Sequence, residues 1–306
     1  MRGVLDSGAI RYGIDLGGTK IELIALDASG AVRHLRRVDT PQGRYRETLD
    51  AIIQLVRSAD ASLASQGSIG IGTPGAVSRK TGRIKNSNSV CLNGQPLRED
   101  LEALLERPVR MANDADCFAL SEASDGAAAG LSTVFGVILG TGVGGGLVVG
   151  GHLLQGPNAI AGEWGHNPIP WPGPEEWPGA SCYCGKTGCI ETVLSGSGLS
   201  RDYEAMTQNW LEAPAIVEKA QAGERAADLS LSRYENRLAR GLAHVINLVD
   251  PDAIVLGGGL SNIQRLYQNV PKRWGQYVFS DQVDTQLLPP LHGDSSGVRG
   301  AAWLWR

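Results

Sequence analysis

Residues 10–26 have the sequence IRYGIDLGGTKIELIAL. Two apolar segments flank the glycine pair Gly17 and Gly18, and a second turn signal, DASG, follows at residues 27–30. Short apolar runs separated by glycine-rich turns are typical of β-hairpins. The stretch therefore predicts a hairpin with a glycine bend, followed by a third strand at residues 31–38.

The bend has the composition of a loop that binds phosphate. Glycines let backbone N–H groups approach an anion, the Thr19 hydroxyl adds a donor, and the Asp15 carboxylate is suited to Mg²⁺, directly or through water. We therefore expect Asp15, Gly17, Gly18, Thr19 and Lys20 to bind a nucleotide. A tight turn that needs glycine only for its backbone angles would have the same composition.

The same pattern recurs later in the chain. Residues 134–149 predict a strand, a glycine turn at residues 140–146 and a returning strand. This turn begins Gly140-Thr141-Gly142, so glycine again stands next to threonine. The recurrence predicts an internal duplication and a second phosphate loop.

The remaining pattern alternates strands with helices. Apolar residues at helical spacing predict helices at residues 44–64, 97–106, 116–125, 230–249 and 297–305, and buried runs predict strands at residues 68–73, 108–111 and 253–256. Alternation of this kind is typical of α/β proteins. At 306 residues the chain exceeds the ~250 to 300 residues that one core supports, so two lobes with ligands between them are expected.

Composition excludes several classes of partner. The formal net charge is -4 and there is no dense run of lysine and arginine, which argues against nucleic-acid binding. No segment approaches the ~20 apolar residues of a membrane span, and residues 1–10 lack the features of a signal peptide. We expect a cytoplasmic protein with no membrane partner.

One histidine and three cysteines have the spacing of metal ligands. His166 is followed after fifteen residues by Cys182, Cys184 and Cys189. A Cys₃His set fills all four positions of tetrahedral zinc, which is the structural type of site. Residues 152–191 show no regular periodicity, so we expect an irregular insertion held by Zn²⁺. The alternative leaves three thiols close together without a metal.

Two sets of motifs resemble known kinases. The D-x-G-G-T segment, the second G-T-G loop and the triplet Gly257-Gly258-Gly259 resemble the sugar kinases of the actin and hexokinase ATPase superfamily. The pattern E-x-G-H…C-x-C-G-x-x-G-C-x-E over residues 163–191 resembles the more specific signature of the ROK family. The resemblance covers nearly the whole chain.

The resemblance implies a two-lobed actin/hexokinase-like α/β fold with ribonuclease H-like lobes and a zinc-knuckle insertion. The first lobe would comprise residues 1–114 and 293–306, and the second residues 115–292 with the zinc-binding loop at 152–191. The two glycine loops would grip the phosphates of ATP, and Gly257, Gly258 and Gly259 would lie under the adenosine. A helix cap after a buried strand is the alternative explanation for that triplet.

Phosphoryl transfer to a sugar needs a carboxylate that accepts the proton of the attacking hydroxyl. Asp114 is the candidate, because it follows a predicted strand where α/β proteins place catalytic groups. Either Asp114 or Asp116 would also serve as the N-cap of the next helix. Resemblance to the Asn-Asp pair of ROK kinases favours Asp114 as base and Asn113 as a sugar ligand.

The resemblance also implies further sugar contacts and a substrate. Asn88, Glu163, His166 and Glu191 would line the sugar pocket, with one His166 ring nitrogen on zinc and the other on a sugar hydroxyl. Segments around residues 85–96, 162–168 and 292–300 look like proteobacterial fructokinases that also accept mannose. We therefore expect fructose, ATP and Mg²⁺ as substrates and cofactor.

Other substrates and functions remain open. N-acetylglucosamine kinases and glucokinases of the family share these motifs. ROK repressors keep the sugar and zinc segments, but they add an N-terminal DNA-binding domain, for which the nine or so residues before the first strand leave no room. A sugar-sensing regulator without kinase activity is thus the rival of another class. Family members are commonly oligomers, and we expect a homodimer.

Overall fold

A computed structural model describes residues 10–87 and 89–305. The strands of these residues are β1 (Arg11–Leu16), β2 (Lys20–Leu26), β3 (Val32–Asp39), β4 (Ser68–Thr73), β5 (Ala76–Val77), β6 (Ile84–Lys85), β7 (Val109–Asn113), β8 (Thr133–Leu139), β9 (Val143–Val149), β10 (His152–Leu153), β11 (Ala253–Gly257) and β12 (Gln286–Leu288). The α-helices are α1 (Tyr45–Leu63), α2 (Leu97–Leu105), α3 (Asp114–Ser124), α4 (Glu191–Leu194), α5 (Gly196–Thr207), α6 (Ala213–Gln221), α7 (Arg225–Val249), α8 (Arg265–Asn269), α9 (Pro271–Trp274) and α10 (Ser296–Trp303). None of these helices is long and apolar enough to cross a membrane.

The chain divides into two compact units. Unit 1 contains the described residues of Met1–Gly130, Gly151–Ala161 and Asp294–Arg306, and unit 2 contains Leu131–Gly150 and Gly162–Gly293. This division differs from the expected boundary after residue 114. The reason is that α3 packs against α10, so both helices belong to unit 1. The expected zinc-binding loop at residues 152–191 is likewise divided, because its first ten residues fall in unit 1.

The described residues contain two five-stranded sheets of the same plan, one in unit 1 and one whose strands β8, β9, β11 and β12 belong to unit 2. The strand orders are β3-β2-β1-β4-β7 and β10-β9-β8-β11-β12. In each sheet an antiparallel hairpin, β1–β2 or β8–β9, is extended by two parallel strands. The duplication predicted from the two glycine loops is therefore present in the sheet topology.

Helix α10 lies unusually close to the sheet and to α3 in unit 1. A Cβ on Gly13 or Gly70 would come within 2.0 Å of carbonyl oxygens of α10, and a Cβ on Gly300 would lie 1.7 Å from the Cys117 carbonyl oxygen of α3. Only glycine permits such contacts. These three positions therefore allow α10 to cover β1 and β4 directly.

Helix α7 organises unit 2. It has 25 residues, and its apolar face, including Leu231, Leu238 and Leu242, is fully buried in the core. Helices α5 and α6, which the sequence pattern did not predict, pack against it. Helix α5 begins Gly-Ser-Gly, a composition of low helix propensity, so packing against α7 outweighs local preference there.

The second glycine turn is shorter than predicted. Strand β9 already begins at Val143, so the turn consists of residues 140–142 and not of residues 140–146. The later glycines serve close packing, because a Cβ on Gly145 would lie 2.8 Å from both the Gly162 carbonyl oxygen and the Trp164 ring.

Candidate active site

The turn between β1 and β2 is pinned by the end of β3. The Gly17 N–H donates to the Lys20 carbonyl oxygen at 3.0 Å. Thr40 then holds the turn twice, since its N–H donates to the Thr19 carbonyl oxygen at 2.9 Å and its hydroxyl donates to the Gly17 carbonyl oxygen at 2.8 Å. Gly18, Thr19 and Lys20 stay exposed to solvent. The turn is thus a fixed, accessible loop, as anion binding requires.

The predicted nucleotide residues Gly18 and Thr19 also line a cavity of about 480 Å³ within unit 1. Thr40 and residues 89–92 form other parts of its wall. A cavity of this size is within the range of small-molecule sites, about 300 to 1,000 Å³.

Asp15 lies in a row of charged side chains across the hairpin. Register pairs Asp15 with Glu22, and Glu22 with Arg37 on β3. Burial, followed by the charges of Asp114 and Glu22, raises the pKa of the Asp15 carboxyl to about 6, while Arg37 opposes the shift. Glu22 is already paired with the Arg37 guanidinium, and the neighbouring carboxylates of Asp15 and Asp114 make this part of unit 1 suited to a cation such as Mg²⁺.

Asp114 begins helix α3 directly after β7. Asn113, one residue earlier, is the N-cap, and its side-chain oxygen accepts the Asp116 N–H at 2.6 Å. Neither Asp114 nor Asp116 therefore caps the helix, contrary to the alternative considered from the sequence. The Asp114 side chain accepts the Ala115 N–H at 2.8 Å and remains accessible to solvent. Desolvation by the surrounding protein nevertheless raises the pKa of its carboxyl, which makes the carboxylate a better proton acceptor.

Asn113 also faces a second cavity of unit 1, with a volume of about 830 Å³. Thr73 and Gly75, at the end of β4, line the same cavity, together with the edge strand β7 and residues from 151–161. The carboxyl ends of β4 and β7 thus combine polar groups with open space, which is where α/β proteins bind ligands.

The turn between β8 and β9 is held by groups from outside its sheet. The Val143 N–H donates to Glu191 Oε2 at 3.0 Å, and the Gly196 N–H donates to the Gly140 carbonyl oxygen at 2.8 Å. A Cβ on Gly142 would lie 2.8 Å from the same Glu191 oxygen. Thr141 remains exposed. Glu191, expected from the resemblance to bind sugar, therefore also supports the second glycine loop.

The glycine triplet ends strand β11 beside this turn. Gly257 is the last residue of β11, and Gly258 has a φ of 77°. A Cβ on Gly258 would lie 2.4 Å from the Leu139 carbonyl oxygen at the end of β8. Gly259 starts a 3₁₀ turn and has open space around its Cα. Gly258 thus passes close to the end of strand β8, and the backbone at Gly259 is unobstructed.

Trp164 fixes the segment that carries Glu163 and His166. Its ring is buried and its Nε1 donates to the Gly144 carbonyl oxygen of β9 at 3.0 Å. A Cβ on Gly165 would lie 2.3 Å from the Val143 carbonyl oxygen, so glycine is needed for this close approach. Glu163 is exposed and His166 is half-buried.

His166, Cys182, Cys184 and Cys189 form one compact cluster of ligand atoms, all within 4.8 Å of one another. The Cys184 and Cys189 sulfurs are 3.6 Å apart, and His166 Nδ1 is 3.6 Å from the Cys182 sulfur. With Zn–S bonds of about 2.3 Å, sulfurs around a tetrahedral ion lie roughly 3.8 Å apart. The Lys186 N–H lowers the pKa of the Cys184 thiol, which favours the thiolate. The cluster is compatible with structural zinc.

The insertion has a second anchor on α7. Arg240 donates to the Pro170 and Trp171 carbonyl oxygens at 3.1 and 2.7 Å, and both Arg240 and Arg237 form ion pairs with Glu176. Although burial raises it, hydrogen bonds from these arginines lower the pKa of the Glu176 carboxyl to about 2. Residues between His166 and Cys182 are therefore tied to α7 independently of the metal ligands.

The other ring nitrogen of His166 does not face open solvent. Its Nε2 lies 3.0 Å from the Tyr183 hydroxyl, and the two rings make an edge contact with centroids 5.1 Å apart. A sugar hydroxyl was expected on the ring nitrogen that does not bind zinc. In this structure the Tyr183 hydroxyl already occupies that position. Tyr183 was not among the residues singled out from the sequence.

The predicted residues thus fall into two groups. Unit 1 holds Asp15, the first glycine loop, Asn113 and Asp114, whereas unit 2 holds the second loop, the glycine triplet, Glu163, Glu191 and the Cys/His cluster. Asn88, a predicted sugar ligand, lies outside the described residues. Sequence reasoning missed Thr40, Gly196 and Tyr183, and only the Ser195-Gly196 pair, a Ser N-cap at a helix start, carries a local signal.

Comparisons with known proteins agree on one family. Residues 11–306 match the sequence profile of the ROK family. An N-acetyl-D-glucosamine kinase of Yersinia enterocolitica is 41% identical over 297 residues, which cover 96% of this chain and 98% of that protein.

Solved structures show the same fold. A ROK hexokinase from Thermus thermophilus superimposes with a TM-score of 0.86 at 30% identity, covering 96% of this chain and 97% of that one. A ROK glucokinase from Streptomyces griseus, determined with glucose and AMPPNP, gives a TM-score of 0.77 at 29% identity, covering 97% and 99%. The α/β fold of actin/hexokinase-like sugar kinases, expected from the motifs, is confirmed.

Proposed function

This chain belongs to the ROK family of sugar kinases, and from that premise we propose that it transfers the γ-phosphoryl group of ATP to the 6-hydroxyl of N-acetyl-D-glucosamine. The observation that carries the proposal is the Asn113-Asp114 pair, which presents an accessible carboxylate with a raised pKa at the start of α3. The identity of 41% to an N-acetyl-D-glucosamine kinase supports the choice of sugar.

This choice replaces the expectation of fructose. The fructokinase-like segments and the zinc signature are shared across the family, so they carry little information on the sugar. A relative of known name that matches 96% of the chain weighs more. Fructose, mannose and glucose remain the sugars against which the proposal is tested.

In the proposed reaction the Asp114 carboxylate accepts the proton of the attacking sugar hydroxyl as the new O–P bond forms and the bond to ADP breaks. Asn113, Glu163, His166 and Glu191 are the proposed sugar contacts, and Asn88 stays a prediction. Mg²⁺, held with help from Asp15, would supply charge neutralisation on the phosphates when bound.

The two glycine loops are the proposed phosphate contacts. Their exposed N–H groups and threonine hydroxyls offer neutral donors to the phosphate oxygens. The proposed nucleotide residues are Gly17, Gly18, Thr19, Lys20, Gly140, Thr141, Gly142, Gly257, Gly258 and Gly259.

Zinc in the Cys/His cluster would act structurally. All four ligand positions would be filled by His166, Cys182, Cys184 and Cys189, so no position remains for a reacting water. The ion would fix the His166 ring and the start of α4, which carries Glu191.

A coupled assay of ADP release tests the proposal. ATP and Mg²⁺ are supplied with N-acetylglucosamine, fructose, mannose or glucose, and kcat/KM is compared. We expect N-acetylglucosamine to lead by at least about tenfold, the discrimination that a few specific contacts provide. A lead for fructose would reinstate the first expectation, and turnover of none of the four, with sugar binding intact, would favour the non-catalytic regulator.

A further inference from the structure

In the sequence Tyr183 lies between two members of the Cys/His cluster, Cys182 and Cys184, but it is not itself one of the cluster's ligands. Its side chain is 82% exposed, although an aromatic ring usually packs against apolar neighbours. Its contacts are polar and specific, with the hydroxyl 3.0 Å from His166 Nε2 and the rings at 86°. An exposed tyrosine held in this way calls for an explanation other than packing.

If His166 binds a metal, the donor and the acceptor of its hydrogen bond with Tyr183 are defined. Nδ1 is the ring nitrogen beside the Cys182 sulfur, so it is the atom that would bind the metal. The proton of the imidazole then resides on Nε2, which becomes a donor. The Tyr183 hydroxyl oxygen accepts that bond, and an alcohol oxygen of a sugar is an acceptor of the same kind.

The Tyr183 hydroxyl lies against one of the proposed sugar contacts. His166 is among the residues of unit 2 proposed to bind sugar, and the hydroxyl is within hydrogen-bond distance of its Nε2. It fills space that His166 would otherwise offer to a ligand.

We propose that Tyr183 occupies the sugar site of the free protein: its hydroxyl takes the position on His166 Nε2 that a sugar hydroxyl takes in the complex. This inference rests on the proposed function. One N–H serves one acceptor well, so sugar binding requires the phenol to rotate away about Cα–Cβ. Rotation between staggered rotamers is open to a side chain as exposed as this one. Tyr183 is then an internal competitor that weakens the apparent affinity for sugar.

The substitution Tyr183→Phe removes the competing hydroxyl and keeps the ring. A net hydrogen bond corresponds to about a 2- to 10-fold change in an equilibrium, so the Kd and KM for N-acetylglucosamine should fall by that factor. The kcat, the KM for ATP and the zinc content should stay unchanged. Tyr277→Phe is the matched control, since its hydroxyl also meets one partner, Asn236 at 3.2 Å, and it should leave sugar affinity unaltered.

Sugar affinity is measured by titration calorimetry without ATP, so it does not depend on turnover. A higher Kd in Tyr183→Phe would mean that the hydroxyl contacts the sugar, and an unchanged Kd would mean that it does not compete. Either result overturns the proposal.

The contact is also tested with no sugar present. In protein labelled with ¹⁵N-histidine, Tyr183→Phe should shift the Nε2 resonance of His166, and saturating N-acetylglucosamine should shift it in the wild type. Absence of the first shift overturns the inference about Tyr183. Absence of the second, with the first present, counts against the proposed substrate.

Discussion

The β1–β2 and β8–β9 hairpins hold equivalent places in sheets of the same strand order, yet their turns are secured differently. In unit 1 the anchor is Thr40, which follows the eight-residue strand β3 of the same sheet. The corresponding strand of the second sheet, β10, has two residues. There the anchors are Glu191 and Gly196, which belong to the chain just after the metal cluster.

The difference shows that one sheet plan can hold its hairpin turn in two ways. A turn held by its own sheet is independent of the rest of the unit. A turn held by Glu191 depends on whatever fixes α4, and two residues before Glu191 stands the cluster member Cys189. The second loop is therefore mechanically connected to the cluster, and the first is not.

The largest effect is expected at a position that has no counterpart in unit 2. Strand β7 is followed by Asp114 and a helix, whereas the corresponding strand β12 is followed by Pro289 and Pro290. Asp114→Asn should lower kcat by about 10²- to 10⁴-fold, because the proton acceptor is lost, and should leave the Kd for sugar nearly unchanged. Near-normal turnover would remove Asp114 from the mechanism.

The same residue predicts a pH dependence. Desolvation by the surrounding protein raises the pKa of the Asp114 carboxyl, and only the ionised form accepts a proton. Wild-type kcat/KM should therefore be full above that pKa and fall as the pH drops through it. A profile of kcat/KM from pH 5 to pH 8 checks this, and a loss of activity toward high pH in that range would contradict it.

Breaking the cluster should affect the second loop and spare the first. Cys184→Ser should release the metal and, through Glu191, raise the KM for both sugar and ATP by about 10- to 100-fold. Metal content by atomic emission should fall below one ion per chain. Cys91→Ser, in unit 1, should retain the metal and serves as the control. One ion per chain in Cys184→Ser would refute the ligand assignment.

Two substitutions of Glu191 distinguish its support of the second loop from its proposed contact with sugar. Glu191→Ala removes the acceptor of the Val143 N–H, so the KM for ATP should rise by about 10-fold, as expected for a bond to an ionised group. Glu191→Gln keeps a side-chain oxygen and should change the KM for ATP less, measured at saturating sugar. If both substitutions raised the KM for ATP equally, the side-chain oxygen of Glu191 would not be what supports the second loop.

The smallest effect is expected in unit 1. Thr40→Val loses the hydroxyl bond to Gly17 but keeps the backbone bond to Thr19, so the KM for ATP should rise only about 2- to 10-fold. Thr40→Ser keeps the hydroxyl and should behave as the wild type. If Thr40→Val raised the KM for ATP more than Glu191→Ala does, the first turn would depend more on its anchor than the second, contrary to our expectation.

The hairpins and α7 were predictable because their signals are local. Glycine between apolar runs, and apolar residues at helical spacing, need no knowledge of distant partners. The compact Cys/His cluster follows from spacing for the same reason. These patterns gave the fold class, eight of the twelve strands and five of the ten α-helices of the described residues.

Other features depend on contacts between distant parts of the chain. Arg240 meets Trp171 across 69 positions, and Glu191 meets Val143 across 48. The cap of α3 illustrates a subtler limit, because Asn113 and Asp114 are both good caps and only the helix start distinguishes them. The sugar depends on a few side chains that the shared motifs do not encode.

The glycine contacts of α10 bear on the order in which the protein is made. Unit 1 draws its covering helix from residues that leave the ribosome after all of unit 2. Until then the faces of β1 and β4 at Gly13 and Gly70 lack the helix that packs on them. All residues of unit 2 are therefore synthesised before unit 1 can be completed.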